Sequence, residues 1–395
     1  MVILKILFSL LLFTCIFDPA DSLVGLKVPV FVLLVGYSIL SHKFSFNNKE
    51  LFGYVFLFSI FLPAISFLIG YLTNTENYDD PNMFGAIKPY LFLLIAFTFQ
   101  KDKKLQEDII RIFAYELVLL SIVSIVILLL SIIEIIPFEL LYEFGNNYTI
   151  YTLGERSYGL LVINRVYFHT APMLVFALCF FLNSYHIEKR LFHLLIALLI
   201  SAALLLSGTR NDMIMGIIPY FGFAYVYGSS RVKVRIVGLF SIFLIYLLSQ
   251  EFVMALFDKS EGSNETKLGF ISDYGNAFSN LRTLLVGDGL DSYFFVRERG
   301  RVNITELTYL ELLRRFGLFG SLIYLYLMLK PAIGLLKRKN YKWMGLAYSC
   351  YLVMIAFNPF FFSSNGMVIL SIVIVVFFTN SGKRDAAQRI NIQQV

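Results

Sequence analysis

Long apolar runs separated by short polar breaks dominate the chain, and their length decides what they can be. A hydrocarbon core of about 30 Å takes roughly 20 apolar residues of helix. The runs near 2–17, 23–40, 51–72, 86–99, 112–136, 166–183, 191–206, 211–228, 236–256, 307–329, 343–357 and 364–380 are therefore read as twelve transmembrane helices. The first is read as a span rather than a secretory signal, because Asp18-Pro19 and Asp21 make a poor small-residue cleavage site. The predicted fold is all-α: one integral membrane domain over residues 1–395, with a large polar loop, 253–306, before the tenth helix. Pro63, Gly70 and Pro89 are expected to bend or interrupt their helices, which neighbouring helices make tolerable.

Composition agrees with the pattern. The chain is 58% hydrophobic and 15% charged with a mean hydropathy of +0.74, outside the range of soluble domains. Cys15, Cys179 and Cys350 all fall in apolar runs, so neither disulfides nor a metal cluster is expected. A net charge of +6 raises nucleic acid as a partner, but the placement of the charges excludes it. Basic residues collect in alternate loops: Lys43 and Lys49; Lys101, Lys103, Lys104 and Arg111; Lys189 and Arg190; Arg231, Lys233 and Arg235; Lys330, Lys337, Arg338, Lys339 and Lys342; and Lys383, Arg384 and Arg389 in the tail. The positive-inside rule places these loops and both termini in the cytoplasm. The loops at 18–22, 73–85 and 358–363, which carry no Lys or Arg, then face outward. Lys27 and Lys88 stand at outer helix ends and are expected to snorkel to the interface.

Chemistry is sparse until residue 137. The acids of the outer loop at 73–85 read as solvated surface. The outward segment from Pro137 to His169 is rich in aromatic residues and holds Arg156, Asn164, Arg165 and His169. Arg165 and His169 are four apart and share a face if the sixth helix has begun there; His169 reads chiefly as a structural group. Ser207-Gly-Thr-Arg210-Asn-Asp212 is a turn so short that Arg210 stays at the outer membrane surface. A guanidinium there needs an anionic partner, either Asp212 or the phosphate of a ligand, whose oxygens suit its planar fork. In the large loop, Gly287-Asp-Gly-Leu-Asp291 lacks the spacing of a calcium loop and reads as a turn. Arg297, Arg299 and Arg301 read as a solvated face, with Arg282 rated above them as a ligand-facing residue. At the mouth of the tenth helix Glu311 and Arg315, at i and i+4, can neutralise one another. Glu306 lies about 500° round a helix from Glu311 and has no local partner, and Arg314 and Arg315 lie about 12 Å below it. Either a cavity or an anion must reach those two arginines.

Taken together, the Ser207-Gly-Thr-Arg210 turn, the outer loop with Gly287-x-Gly289, and the helix with Arg-Phe-Gly317-Leu-Phe-Gly320 resemble the O-antigen polymerase and ligase superfamily over roughly residues 150–320. The resemblance implies a GT-C-type membrane glycosyltransferase acting at the outer face of the bacterial inner membrane on undecaprenyl-pyrophosphate-linked oligosaccharide. Ligases of the superfamily carry a histidine eleven residues before the first glycine of Gly-x-x-Gly, where this chain has Glu306. That departure favours a repeat-unit polymerase over a ligase transferring polysaccharide to lipid A core. The absence of internal repeats counts against a flippase or transporter of the same lipid-linked sugar. The implied site has Glu306 as base and Arg210, Arg165, Arg314, Arg315, Arg156, Arg282 and His169 around the pyrophosphate. Metal and cofactor are not expected. Implied partners are membrane lipid, a chain-length regulator and a flippase that delivers the substrate. The sequence reading thus expects a carboxylate and several guanidinium groups from distant segments to converge on one outward-facing place.

Overall fold

The computed structural model describes residues 2–73, 83–158, 161–249, 262–297 and 299–379. Most of the loop at 73–85, the start of the large loop including Asp258, and the basic tail residues Lys383, Arg384 and Arg389 lie outside the described residues.

Apolar helices carry the architecture, as the pattern predicts. Among the described residues, four are long and apolar enough to cross a membrane: α3 (Lys49–Thr73), α5 (Lys103–Ile132), α7 (Ala171–Glu188) and α14 (Thr308–Leu336). Six shorter apolar helices accompany them: α1 (Val2–Phe17), α2 (Lys27–Leu40), α4 (Met83–Phe99), α8 (Leu191–Leu206), α15 (Lys342–Phe357) and α16 (Ser364–Thr379). These ten helices are those of an integral membrane protein. The run at 211–228 is broken into α9 (Arg210–Met215) and α10 (Ile218–Tyr227), and α11 (Ser230–Ser249) follows. Asn48 and Asp102 start α3 and α5 by accepting the backbone N–H groups of Leu51 and Leu105. A π turn at Leu57–Phe61 precedes Pro63, and a 3-10 stretch at Phe92–Ile95 follows Pro89. Both sit where a missing proline N–H upsets the ladder. α16 is apolar on every side and buried along nearly its whole length, packed on α1, α3, α4, α5 and α14. A helix of that character belongs at the centre of a bundle.

Three expectations are corrected. Residues 166–168 are not the start of a helix but the end of a β-hairpin, β1 (Tyr151–Tyr158) and β2 (Leu161–Phe168), preceded by the short helix α6 (Phe138–Asn147). Arg165 and His169 therefore do not share a helix face. Lys27 does not snorkel: it is 2% exposed, with its Nζ donating to the Pro19 carbonyl at 2.6 Å. Glu306 precedes α14, which begins at Thr308, so the helical angle of about 500° drawn between Glu306 and Glu311 does not apply.

The large loop is itself folded, with α12 (Gly262–Phe278), α13 (Leu281–Leu285) and a second hairpin, β3 (Phe294–Val296) with β4 (Gly300–Val302). Two glycines dock it on α14. Gly287 has φ +92° and Gly317 has φ +63° with ψ −177°, a conformation that side chains essentially exclude. A Cβ on Gly317 would stand 2.4 Å from the Leu285 carbonyl oxygen, and one on Gly287 would stand 2.6 Å from the Gly317 nitrogen. The loop turn and the helix kink therefore fit only as backbone against backbone. In the turn before the kink, three carbonyls accept bonds from outside the helical ladder. Leu312 accepts from Ser321 Oγ at 3.0 Å, Arg314 from the Asp288 N–H at 2.7 Å, and Arg315 from Ser66 Oγ at 2.6 Å. Gly317→Ala is expected to lower the unfolding midpoint of the detergent-solubilised protein and to broaden its size-exclusion peak. A midpoint within about 1 °C of wild type would contradict this account of the kink.

Candidate functional site

The first hairpin explains how residues nine apart in sequence come to act together. Its register pairs Tyr151 with Phe168, Leu153 with Val166, Gly154 with Arg165, and Thr152 with Tyr167. Alternate positions face opposite ways, and directly opposed residues face the same way. Tyr151, Leu153, Val166 and Phe168 are buried and form one face. Arg156, Arg165 and Tyr167 consequently stand on the other.

That second face meets the Ser207-Gly-Thr-Arg210 turn. Arg156 Nη1 donates to the Gly208 carbonyl at 3.3 Å. Gly208 has φ +63°, and a Cβ there would lie 2.8 Å from Cβ and Cδ of Arg165. Only glycine both turns the chain and lets the arginine lie across it. Thr209 caps α9 by accepting the Asp212 N–H, and Asn211 Nδ2 donates to the Met354 carbonyl at 2.7 Å, tying the turn to α15. Asp212 is 2% exposed, and its bond to the turn is that of its backbone N–H to the Thr209 hydroxyl at 3.4 Å.

Glu306, Lys267 and Tyr167 complete the cluster. Glu306 lies just before α14 and pairs with Arg299 at 3.0 Å, both side chains remaining partly exposed. The expectation that it has no local partner is thereby corrected, and Arg299 is more than a solvated cation, its guanidinium resting 5.1 Å from the Phe270 ring. Lys267, on α12, lies over the Phe357 ring at 5.4 Å. Burial lowers its ammonium below the usual range, as do the charges of Arg156 and Arg210, while Glu306 acts in the opposite sense. Tyr167 is held well above the usual phenol range by burial, by the carboxylates of Asp212 and Glu306, and against the pull of Arg165. Three loops and a helix start thus bring Arg156, Arg165, Arg210, Lys267, Tyr167 and Glu306 within electrostatic reach of shared neighbours.

The remaining expected residues are placed elsewhere or engaged. Arg314 is 0% exposed and Arg315 is 8% exposed. Arg314 Nη2 donates to Glu311 Oε1 at 2.6 Å and its Nη1 to Ser292 Oγ at 2.8 Å, and both arginines bond the Asn303 carbonyl. Arg315 Nε also donates to Glu311, and Tyr274 Oη donates to Glu311 Oε2 at 2.6 Å. This buried triad fastens the loop around Ser292 and Asn303 to α14. Arg282 pairs with Asp288 at 3.2 Å and donates to the Thr73 carbonyl, clasping the loop rather than facing the cluster. His169 follows β2, with its N–H bonded to the Ile150 carbonyl at 3.1 Å and its ring edge-on to Tyr167 at 5.6 Å. Burial depresses its basicity, so at neutral pH it is an uncharged structural neighbour.

Sequence reading missed Lys267, Tyr167 and the hairpin. Leu-Val-Ile-Asn-Arg-Val-Tyr-Phe over 161–168 is rich in β-branched and aromatic residues, a strand signal outweighed by the apolar run that continues into α7. Lys267 carried no signal, because nothing local links it to Glu306.

By fold and site this is an integral membrane protein that gathers cations and a half-exposed carboxylate around a folded loop. No family model matches the chain. It is similar to an O-antigen polymerase from Shigella flexneri, 24% identical over 366 residues that cover 88% of this chain and 85% of that protein.

Proposed function

We propose that the protein is a glycosyltransferase of O-antigen or related surface-polysaccharide synthesis, joining undecaprenyl-pyrophosphate-linked repeat units at the periplasmic face of the inner membrane. The observation that carries the reading is the meeting of Arg156 and Arg165 of the hairpin with the Ser207–Arg210 turn. Similarity to the Shigella flexneri polymerase over most of both chains supports the same assignment.

The chemistry asks for a base and for cations. An acceptor sugar hydroxyl attacks the anomeric carbon of the donor, its proton passes to Glu306, and the carbon–oxygen bond to the lipid diphosphate breaks with its electron pair leaving on the diphosphate. Glu306 is held by a pair open enough to admit a hydroxyl. Arg156, Arg165, Arg210 and Lys267 stabilise the departing charge, guanidinium forks being suited to phosphate oxygens. Displacement from the side opposite the diphosphate inverts the anomeric centre. The buried Glu311–Arg314–Arg315 triad holds the loop that carries Arg299 and Glu306.

Purified protein in proteoliposomes, supplied with an undecaprenyl-pyrophosphate-linked repeat unit, should produce a ladder of longer lipid-linked chains. Arg210→Ala should abolish the ladder with normal yield and unfolding midpoint; an unchanged ladder would remove Arg210 from the site. Transfer to lipid A core instead of to a second repeat unit would mark a ligase.

A further inference from the structure

Tyr167 sits in the cluster with a hydrogen-bond polarity that its neighbours dictate. Asn358 Oδ1 accepts the Phe360 N–H at 3.1 Å, which fixes the amide so that its Nδ2 points the other way, at Tyr167 Oη 2.7 Å distant. An amide nitrogen can only donate. The phenol oxygen is therefore an acceptor in that bond, and its own O–H must be directed elsewhere. Turning the amide over would give up the cap that Oδ1 makes on the turn at Pro359–Phe362, and the backbone carbonyl of Asn358 is itself anchored by the Thr308 hydroxyl at 2.7 Å. Among the described residues the hydrogen bond of the phenol is the one from Asn358, while Asp212, Glu306 and Arg165 act on it through their charges. The result is a protonated donor, oriented by a half-buried relay from Phe360 through Asn358, on the hairpin face shared by Arg156 and Arg165.

We infer that Tyr167 is a diphosphate-binding residue, its O–H donating to an oxygen of the lipid-borne diphosphate that Arg156, Arg165 and Arg210 attract, and that Asn358 is the positioning residue that aims it. This rests on the proposed reading of the cluster as a diphosphate site. A donor to an anionic oxygen contributes more than a neutral one, and an O–H can follow the oxygen as charge grows on it.

The test is binding of farnesyl diphosphate, a short lipid diphosphate, to the full chain in nanodiscs. Tyr167→Phe should weaken binding about ten- to a hundredfold. Asn358→Asp still caps Phe360 but replaces the donor by a carboxylate that accepts the phenol proton, and it should weaken binding similarly. In the Tyr167→Phe background Asn358→Asp should then add only the repulsion of its carboxylate, less than its effect in the wild type, because the phenol bond is already gone. Farnesyl phosphate and inorganic pyrophosphate, run alongside, separate diphosphate recognition from binding of the prenyl chain or of free anion. If Tyr167→Phe binds as tightly as wild type, or if the two changes multiply in full, the inference is overturned while the diphosphate site stands. Failure of wild type to bind farnesyl diphosphate overturns both. Should Tyr167→Phe not fold, Asn358→Asp alone decides, a wild-type affinity for it being the overturning result.

Discussion

Glu306→Gln is expected to slow ladder formation by about 10²–10⁴-fold, the usual contribution of a positioned base, and to leave the folded protein unchanged. The two halves of that expectation come from one local geometry. Glu306 precedes α14 and meets Arg299 through a single bond at 3.0 Å with both partners still open to solvent. A pair of that kind contributes about 0–1 kcal/mol to folding. Glutamine keeps the shape and a carbonyl for Arg299 but cannot hold a proton taken from a sugar hydroxyl. Rates in proteoliposomes, measured beside the unfolding midpoint, separate chemistry from folding. A full-length ladder at the wild-type rate would remove Glu306 from the proton-transfer step.

Glu311→Gln is expected to fail in the opposite manner, by loss of the folded protein. Glu311 is 1% exposed and receives both Arg314 and Arg315 as well as the Tyr274 hydroxyl. Neutralising it leaves two guanidinium groups buried without their counter-charge. Removing one partner of a buried ion pair costs about 3–5 kcal/mol. Because Arg314 and Arg315 also hold the carbonyl of Asn303, the loop carrying β3 and β4 should loosen first. Limited proteolysis ought to cut within residues 288–303 in the variant and not in the wild type, with a lowered yield of monodisperse protein. Normal protection and yield combined with a silent ladder would instead place Glu311 in the chemistry. These carboxylates stand five residues apart, and nothing in their immediate sequence announces that one is open and the other sealed.

Apolar run length was enough to read an integral membrane protein built of helices, since burying a backbone in hydrocarbon leaves little other choice. It was also enough to single out Glu311 with Arg315, because an i, i+4 pair is a local matter. The Ser207–Arg210 turn and the paired glycine motifs could be singled out as short strings in order, but their purpose could not. Gly287 and Gly317 matter because two backbones from segments thirty residues apart touch, and Gly208 matters because Arg165 crosses it. The hairpin went unread because eight residues of β-forming sequence run without a break into an apolar helix.

Sequence by itself determined the solvent in which this chain folds, the approximate ends of its helices, and a short roster of charged residues too costly to place in lipid without a purpose. Tertiary structure alone decided how that roster divides: Arg314, Arg315 and Arg282 go to holding the loop, whereas Arg156, Arg165 and Arg210 gather with Lys267, Tyr167 and Glu306. The division is physical. A charge is assigned by what surrounds it in three dimensions, and for these residues the surroundings come from segments far away along the chain.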